Sequence, residues 1–361
     1  MEGAFSIMRI KLAFLDSEDA YISKLVSHLN LKYPDGLEIY VFSSVNALRE
    51  YMEKEKIDVL LSSETFDFEP STLPKSTAFA YFSDSPAIDT IKGMRTICRY
   101  QKIDLIYKEI LGLYSELSTN VTSYKSTGNG TTNVILFLPV SGGVGATTIA
   151  AAAAIHAAGG GKRVLYLDFQ QCGSVSAIFH SEGQYTFSDV IYAIKSNKSN
   201  LKLRLESMVK NANGVFYFES CPVALDAMAA TEEDLSRLIK ELIDTGSYDY
   251  IFIDIDNHME KKLYDIIRLS QALVFVGDGS ELSNAKFQKY YEALLLLNEG
   301  KKLNISNKMM RIYNKFSSKT SRELVINDIR TIGGVPRYEL ATAEQIVLEI
   351  SKMKVFDAFL A

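Results

Sequence analysis

Cysteine is scarce. Cys98, Cys172 and Cys221 are far apart, odd in number and form no Cys-x-x-Cys pair in 361 residues. Such a set cannot staple a fold, and it reads as reduced core thiols in a reducing compartment. The four histidines, His28, His156, His180 and His258, show no metal-ligand spacing, which argues against a zinc centre. No apolar run approaches the roughly 20 residues that cross a bilayer. Met1-Glu2-Gly3-Ala4-Phe5 has neither the basic region nor the long apolar core of a secretory leader, so a cytoplasmic chain is expected. An excess of one charge is also missing: 39 basic against 44 acidic side chains leave −5. No chain-wide attraction to nucleic acid is expected from that balance. What is present is a 47% hydrophobic, 23% charged chain, long enough for two globular domains.

The most informative stretch is Ser141-Gly142-Gly143-Val144-Gly145-Ala146-Thr147-Thr148. It follows the apolar run Val134 to Leu138 and opens onto Ile149 to Ile155, which is rich in alanine. A strand, a glycine-rich turn and a helix are thus expected, with backbone N–H groups and the helix's positive end converging on a phosphate. Thr147 would give its hydroxyl to magnesium and Thr148 would donate to a phosphate oxygen. The usual loop ends in Gly-Lys-Ser/Thr, and here Ala146 stands in the lysine's place. The variant loop of MinD- and ParA-type ATPases reads Lys-Gly-Gly-x-Gly-Lys-Thr-Thr. This chain resembles it except at Ser141 and Ala146, where both lysines are gone. Nucleotide held by main-chain dipoles and magnesium, with little turnover, is the expectation.

Residues 7–118 alternate apolar strands with amphipathic helices, which implies a parallel sheet covered on both faces. Strands are expected at Ile10–Leu15, Leu37–Phe42, Ile57–Leu61, Ala78–Phe82 and Ile97–Tyr100, and a closing helix at Leu105–Leu117. This order resembles the receiver domain of two-component response regulators. A receiver needs a phosphoacceptor aspartate after its third strand, and here that place reads Ser62-Ser63. Asp16 and Glu18 after the first strand, and Lys102 at the place of the receiver lysine, do not make a phosphorylation site without the nucleophile. A degenerate receiver used for protein contacts is the reading. Residues 119–132, rich in Ser, Thr, Asn and Gly, read as a linker. The glycosylation-type sequences at Asn120 and Asn129 have no meaning in a cytoplasmic chain.

Residues 133–361 read as a doubly wound sheet, with functional residues at strand ends. Asp254 after Tyr250-Ile251-Phe252-Ile253 has the form of a carboxylate that orients water on magnesium, with Asp256 two residues on. Asp168 ends the strand Arg163–Leu167. MinD- and ParA-like proteins carry Asp-x-Asp there; this chain has Asp168-Phe169-Gln170, and an amide is a poor proton acceptor. The expected metal set is Thr147, Asp168 and Asp254. From Ala343 to Leu360 apolar residues recur at helical spacing, read as a packed last helix in preference to a membrane-targeting one.

The loop, the Asp168–Gly173 run, Phe187-Ser188-Asp189-Val190 and the domain order are together similar to the CpaE/TadZ pilus-assembly proteins. The fold class this implies is α/β: a receiver-like (flavodoxin-like) three-layer domain, then a MinD/ParA-like P-loop NTPase sheet. The resemblance further implies ATP and Mg2+ as cofactors, Asn314 at the adenine edge, and Pro336, Arg337 and Tyr338 lining the base pocket. It implies a face-to-face homodimer over nucleotide, which helps to place Tad secretion and pilus machinery at one cell site, with polar or peripheral membrane association through partners. Three alternatives stay open: a working ATPase with a basic residue from outside the loop, a module that has lost nucleotide, and, more distantly, a dinucleotide enzyme, for which Gly-x-Gly-x-x-Gly spacing is absent.

Overall fold

A computed structural model describes residues 9–117, 131–196, 200–257, 261–305 and 307–360. The polar stretch 118–130, with Asn120 and Asn129, and also His258, lie outside the described residues. The chain divides into two units: Met1–Lys125 with Asn197–Met208, and Ser126–Ser196 with Val209–Ala361.

The first unit is built on β1 (Ile10–Leu15), β2 (Leu37–Phe42), β3 (Val59–Ser62), β4 (Ala78–Ser83), β5 (Thr90–Ile91) and β6 (Met94–Cys98). Their order is β2-β1-β3-β4-β6-β5, parallel except for the β5–β6 hairpin. Helices α1 (Asp19–Lys32), α2 (Val45–Met52) and α3 (Ile103–Leu117) cover it. Strand alternation assigns the faces. Leu12, Phe14, Leu61 and Ala80 pack with α1 and α3, whereas Ala13, Leu15, Leu60 and Tyr81 pack with Leu48 of α2. Because both faces are covered, β1, β3 and β4 are almost wholly apolar runs, and that is why they were legible. The hairpin turn is Lys92-Gly93, both with positive φ, the two-residue geometry that matches strand twist.

The second unit has β7 (Asn133–Pro139), β8 (Val164–Asp168), β9 (Lys210–Ala212), β10 (Val215–Tyr217), β11 (Tyr250–Asp254), β12 (Ala272–Gly277), β13 (Met309–Phe316) and β14 (Arg330–Pro336). The order is β14-β13-β12-β7-β11-β8-β10-β9, with only β9 antiparallel to its neighbour. Its helices are α4 (Ala146–Gly159), α5 (Phe187–Lys195), α7 (Ala224–Met228), α8 (Glu232–Thr245), α9 (Lys261–Leu269), α10 (Glu281–Lys301) and α11 (Ala343–Ile350). Placing β7 between β12 and β11 brings the carboxyl ends of β7, β8 and β11 side by side.

The remaining helix, α6 (Leu201–Met208), lies in sequence between α5 and β9 but groups with the first unit. Leu201, Leu203, Leu205 and Met208 are buried, and Leu203 shares a core with Ile106 and Leu111 of α3.

The last stretch is not one helix. Helix α11 stops at Ile350, and Lys354–Phe359 forms a 3-10 turn. Val347, Ile350, Phe356 and Phe359 lie in the core that contains α4, so this apolar face is committed to packing. The His156 ring bridges the Ser351 carbonyl at 2.7 Å and the Asp357 carboxylate at 2.8 Å, pinning the segment to α4. Among the described residues no helix is long and apolar enough to cross a membrane. The core-thiol expectation is corrected: Cys98 is buried, but Cys172 is exposed and Cys221 half-buried, because both sit on loops at the sheet edge.

Candidate functional site

The turn after β7 is shaped by glycines at the positions where left-handed backbone is needed. Gly143 has φ +76° and Gly145 φ +81°, and Gly145 caps α4 with no side chain of its own. Capping N–H groups at this end therefore point outward unsatisfied by any side chain. Val144, 1% exposed, plugs the loop into the core beneath it. Ile149 to Ala154 are all buried, and the small alanines let α4 lie close to the sheet. The helix end faces the carboxyl edge, where an anion is stabilised by the dipole.

Ala146 is buried at the start of α4, so nothing in the loop itself carries a positive charge. Ser141 donates its hydroxyl to Ser283 Oγ at 3.2 Å, tying the loop's first residue to the first turn of α10. Thr147 and Thr148 are half-buried on the first turn of α4.

Asp168 and Asp254 are register partners at the ends of β8 and β11. The Thr147 hydroxyl donates to Gln170 Oε1 at 3.3 Å and also reaches Asp254, so Thr147, Asp168, Asp254 and Gln170 meet in one corner. Asp168 accepts the N–H groups of Gln170 and Ser174, each at 3.0 Å. Tyr166, from the middle of β8, donates to Asp254 Oδ2 at 3.0 Å, a contact not read from the sequence. Asp254 Oδ1 is buried and has no hydrogen-bond partner. Burial, and then the charge of Asp168, push Asp254 up to about 7. Burial pushes Asp168 up to about 6, against the two backbone N–H bonds that lower it. Two desolvated carboxylates, an orphan oxygen and a hydroxyl are the donor set of a hard divalent cation that takes its other ligands from phosphate and water. Among the described residues no three His, Cys, Asp or Glu side chains gather into a site, so magnesium fits here only in that shared form. Asp256 is used elsewhere, accepting Gln171 N at 2.9 Å.

Asn314 and Lys315 arrive from the bulged end of β13, where the register with β14 shifts and Lys315 has φ +56°. Asn314, 3% exposed, donates Nδ2 to Val144 O at 2.8 Å and accepts Lys315 N on Oδ1 at 2.9 Å. Its amide is thus spent on bracing the loop. Lys315 donates Nζ to Gly143 O at 2.7 Å, with its stem beside Gly145. This ammonium is therefore engaged by a main-chain carbonyl of the loop. Lys315 was missed in sequence because its reach depends on the bulge. Pro336 pairs with Phe316 at the same end of the sheet; Arg337 is exposed beside Glu339 at 3.4 Å, and Tyr338 packs on the core. A cavity of about 220 Å³ lies past Asp168, between the ends of β8 and β10, lined by Gln170, Cys172, Phe187, Phe218 and Cys221.

Comparison with known proteins agrees with this division. Residues 8–115 match the family model of the TadZ-like receiver domain, and residues 132–309 match that of an AAA domain. A ParA family ATPase from Chlorobium tepidum TLS is similar in structure at 20% identity, with TM-score 0.51, covering 64% of this chain and 98% of its own. MinD from Pyrococcus horikoshii OT3, solved with Mg-ADP, is similar at 18% identity and TM-score 0.46, covering 63% of this chain and 93% of its own. The Aquifex aeolicus MinC:MinD complex gives 18% identity and TM-score 0.45, over 61% of this chain and 94% of that one. Comparison with curated proteins gives no match. The chain is a TadZ-like receiver domain followed by a sheet of the ParA/MinD-like P-loop fold. That is the CpaE/TadZ architecture, and this chain has it.

Proposed function

We propose that the second unit binds ATP with Mg2+ through the 141–148 loop and the Thr147, Asp168 and Asp254 corner, with weak or no hydrolysis. The observation that carries this reading is the orphaned, buried Asp254 Oδ1 beside a desolvated Asp168 and a threonine on an uncapped helix end. Such a corner is costly when empty of cations and is relieved by one. Bound magnesium would neutralise the two carboxylates and the phosphates. The chain's own part is to aim main-chain N–H groups, to hold the loop through Asn314 and Lys315, and to offer Gln170 where a proton acceptor would be needed.

Nucleotide then serves as glue for a homodimer, and the receiver unit takes the partner. On the family resemblance the partner belongs to Tad-type pilus or secretion machinery, and the chain acts as a localisation scaffold. The competing reading, an active ATPase with a substitute cation, has Lys315 as its natural candidate, but that ammonium is engaged by a carbonyl of the loop. ATP titration with and without Mg2+, steady-state phosphate release and sedimentation on the same sample separate the readings. Saturable, Mg2+-dependent binding with dimer formation and negligible release is expected. Multiple turnovers favour the ATPase, and no saturable binding at millimolar ATP removes both.

A further inference from the structure

The first unit gathers its own charged cluster, at the carboxyl ends of its central strands. Asp16 and Glu18 follow β1, and Asp84 follows β4. All three face one guanidinium, that of Arg99, the residue after β6. Its Nη2 lies 2.8 Å from Asp16, Nη1 2.8 Å from Glu18 and Nε 3.3 Å from Asp84. Asp16 is 2% exposed and Arg99 8%, whereas Glu18 and Asp84 sit at the rim. The Asp16 contact is a close charge pair without aligned hydrogen-bond geometry, and Asp16 uses Oδ1 to accept Glu18 N at 2.8 Å, which sets the entry to α1.

The guanidinium is boxed as well as paired. Its carbon lies 5.7 Å from the Tyr21 ring centre and 5.2 Å from that of Phe82. The Arg99 backbone is fixed at both polar groups: N donates to Ser83 O at 2.9 Å, and O accepts the Tyr21 hydroxyl at 2.7 Å. In sequence, Lys102 stands at the place of the receiver lysine. Strand β6 ends at Cys98, so the next residue projects over the neighbouring strand ends, while Lys102 already leads into α3. The cation that reaches Asp16 is Arg99.

A carboxylate as buried as Asp16 needs a positive charge beside it. With the guanidinium among them, Asp16, Glu18 and Asp84 do not form a group that could hold a metal ion. The planar guanidinium supplies that charge as part of the chain, through a hydrogen bond to Glu18 and close charge contacts to Asp16 and Asp84. At the end of β3 the pocket meets only hydroxyls: Ser62 bonds the Ser63 carbonyl at 2.9 Å, and Ser63 meets Thr65 at 2.9 Å.

We propose that Arg99 is the resident cation of this pocket. It keeps a divalent ion out and holds the ends of β1, β4 and β6 in one arrangement, so the surface this end presents is permanent and does not respond to ions.

Titration of the full-length chain with Mn2+, free of nucleotide and followed by electron paramagnetic resonance, tests this. Wild type and the rim variant Glu18→Gln/Asp84→Asn are expected to bind the same number of ions per chain. Arg99→Ala is expected to bind one more, and adding Asp16→Asn to it to cancel the gain. Loss of an ion in the rim variant would mean that a metal already shares the pocket with Arg99 and would overturn the proposal. So would an unchanged count in an Arg99→Ala chain with native circular dichroism. Should Arg99→Ala not fold, Arg99→Gln serves the same comparison, and the rim variant, altered only at exposed positions, decides independently.

Discussion

Asp168 and Asp254 stand directly opposite each other on the parallel strands β8 and β11, and each raises the cost of ionising the pair. From within the sheet Tyr166 donates its hydroxyl to Asp254 at 3.0 Å. The corner therefore holds negative charge that the fold alone does not compensate.

A pH dependence follows. Asp254 is raised from 3.8 to about 7 and Asp168 from 3.8 to about 6. The folded state thus binds these protons more tightly than the unfolded chain, and stability is lost as pH rises through the folded values. The nucleotide-free chain is expected to melt progressively lower between pH 5 and roughly pH 8 from this pair, with Mg2+ and ATP restoring much of the loss by linkage. Asp254→Asn, which removes the charge and keeps the shape, is expected to flatten the profile and to stabilise the nucleotide-free chain at pH 8 by about 1–3 kcal/mol. Thermal melts across pH read both; a wild-type profile as flat as the variant's would contradict the buried ionised pair.

The brace between β13 and the loop gives a second prediction. Asn314 is buried and donates to Val144 O at 2.8 Å, so Asn314→Ala frees the loop and leaves that carbonyl unpaired. ATP binding should weaken by about tenfold, equivalent to about 1.4 kcal/mol. Lys315→Ala, removing an exposed contact, should cost about threefold or less. At Gly145 a Cβ would collide with the Asn314 amide nitrogen, on a backbone with φ +81°, so Gly145→Ala should be the most damaging of the three. Isothermal titration ranks them, and an Asn314→Ala chain that binds as wild type does would show that the brace is idle.

The excursion of α6 supplies a third. Leu203 is 2% exposed, and it lies within a core made by the first unit although it is 80 or more residues beyond α3 in sequence. Leu203→Ala should destabilise that unit by about 2–4 kcal/mol. Hydrogen exchange is expected to quicken in α3 and β4 while protection of α4 holds. Faster exchange in α4 with none in α3 would place α6 wrongly.

These cases mark where sequence reading stops. Strands β1, β8, β11 and β12 were legible because each is an apolar run closed by a polar residue or glycine, and β7 because its run leads into the glycine-rich turn; burial on both faces demands such runs. Strand β14 was not, since Gly333 and Gly334 interrupt its pattern, and β9 is too short to show one. Helix α6 has leucines at 201, 203 and 205, a spacing of two that hides a helix, and its burial comes from a partner far away in the chain. The loop and the two aspartates were singled out from motif order, and the fold brings Thr147, Asp168 and Asp254 into one corner. Arg99 was not, because its partners at 16, 18 and 84 are brought to it only by the strand order β1-β3-β4-β6. Lys315 was missed for a similar reason, its reach being set by a bulge with positive φ.

The missing lysine can be put back. Ala146 begins α4 directly beyond the Gly145 cap, at the place where the variant loop carries its second lysine. In Ala146→Lys the ammonium would meet the phosphates as a charge-assisted donor, so ATP affinity should rise by about tenfold or more. Turnover should stay low in that variant, because Gln170 still cannot accept a proton. Adding Gln170→Asp supplies the acceptor, beside the Thr147 hydroxyl that Gln170 now engages at 3.3 Å. Phosphate release by the double variant should then exceed wild type by at least about tenfold, within the range general-base groups contribute. A double variant that binds ATP tightly and still releases none would show that the barrier lies in the loop's geometry and not in its two lost side chains; an Ala146→Lys chain with unchanged affinity would show that the loop does not face a phosphate at all.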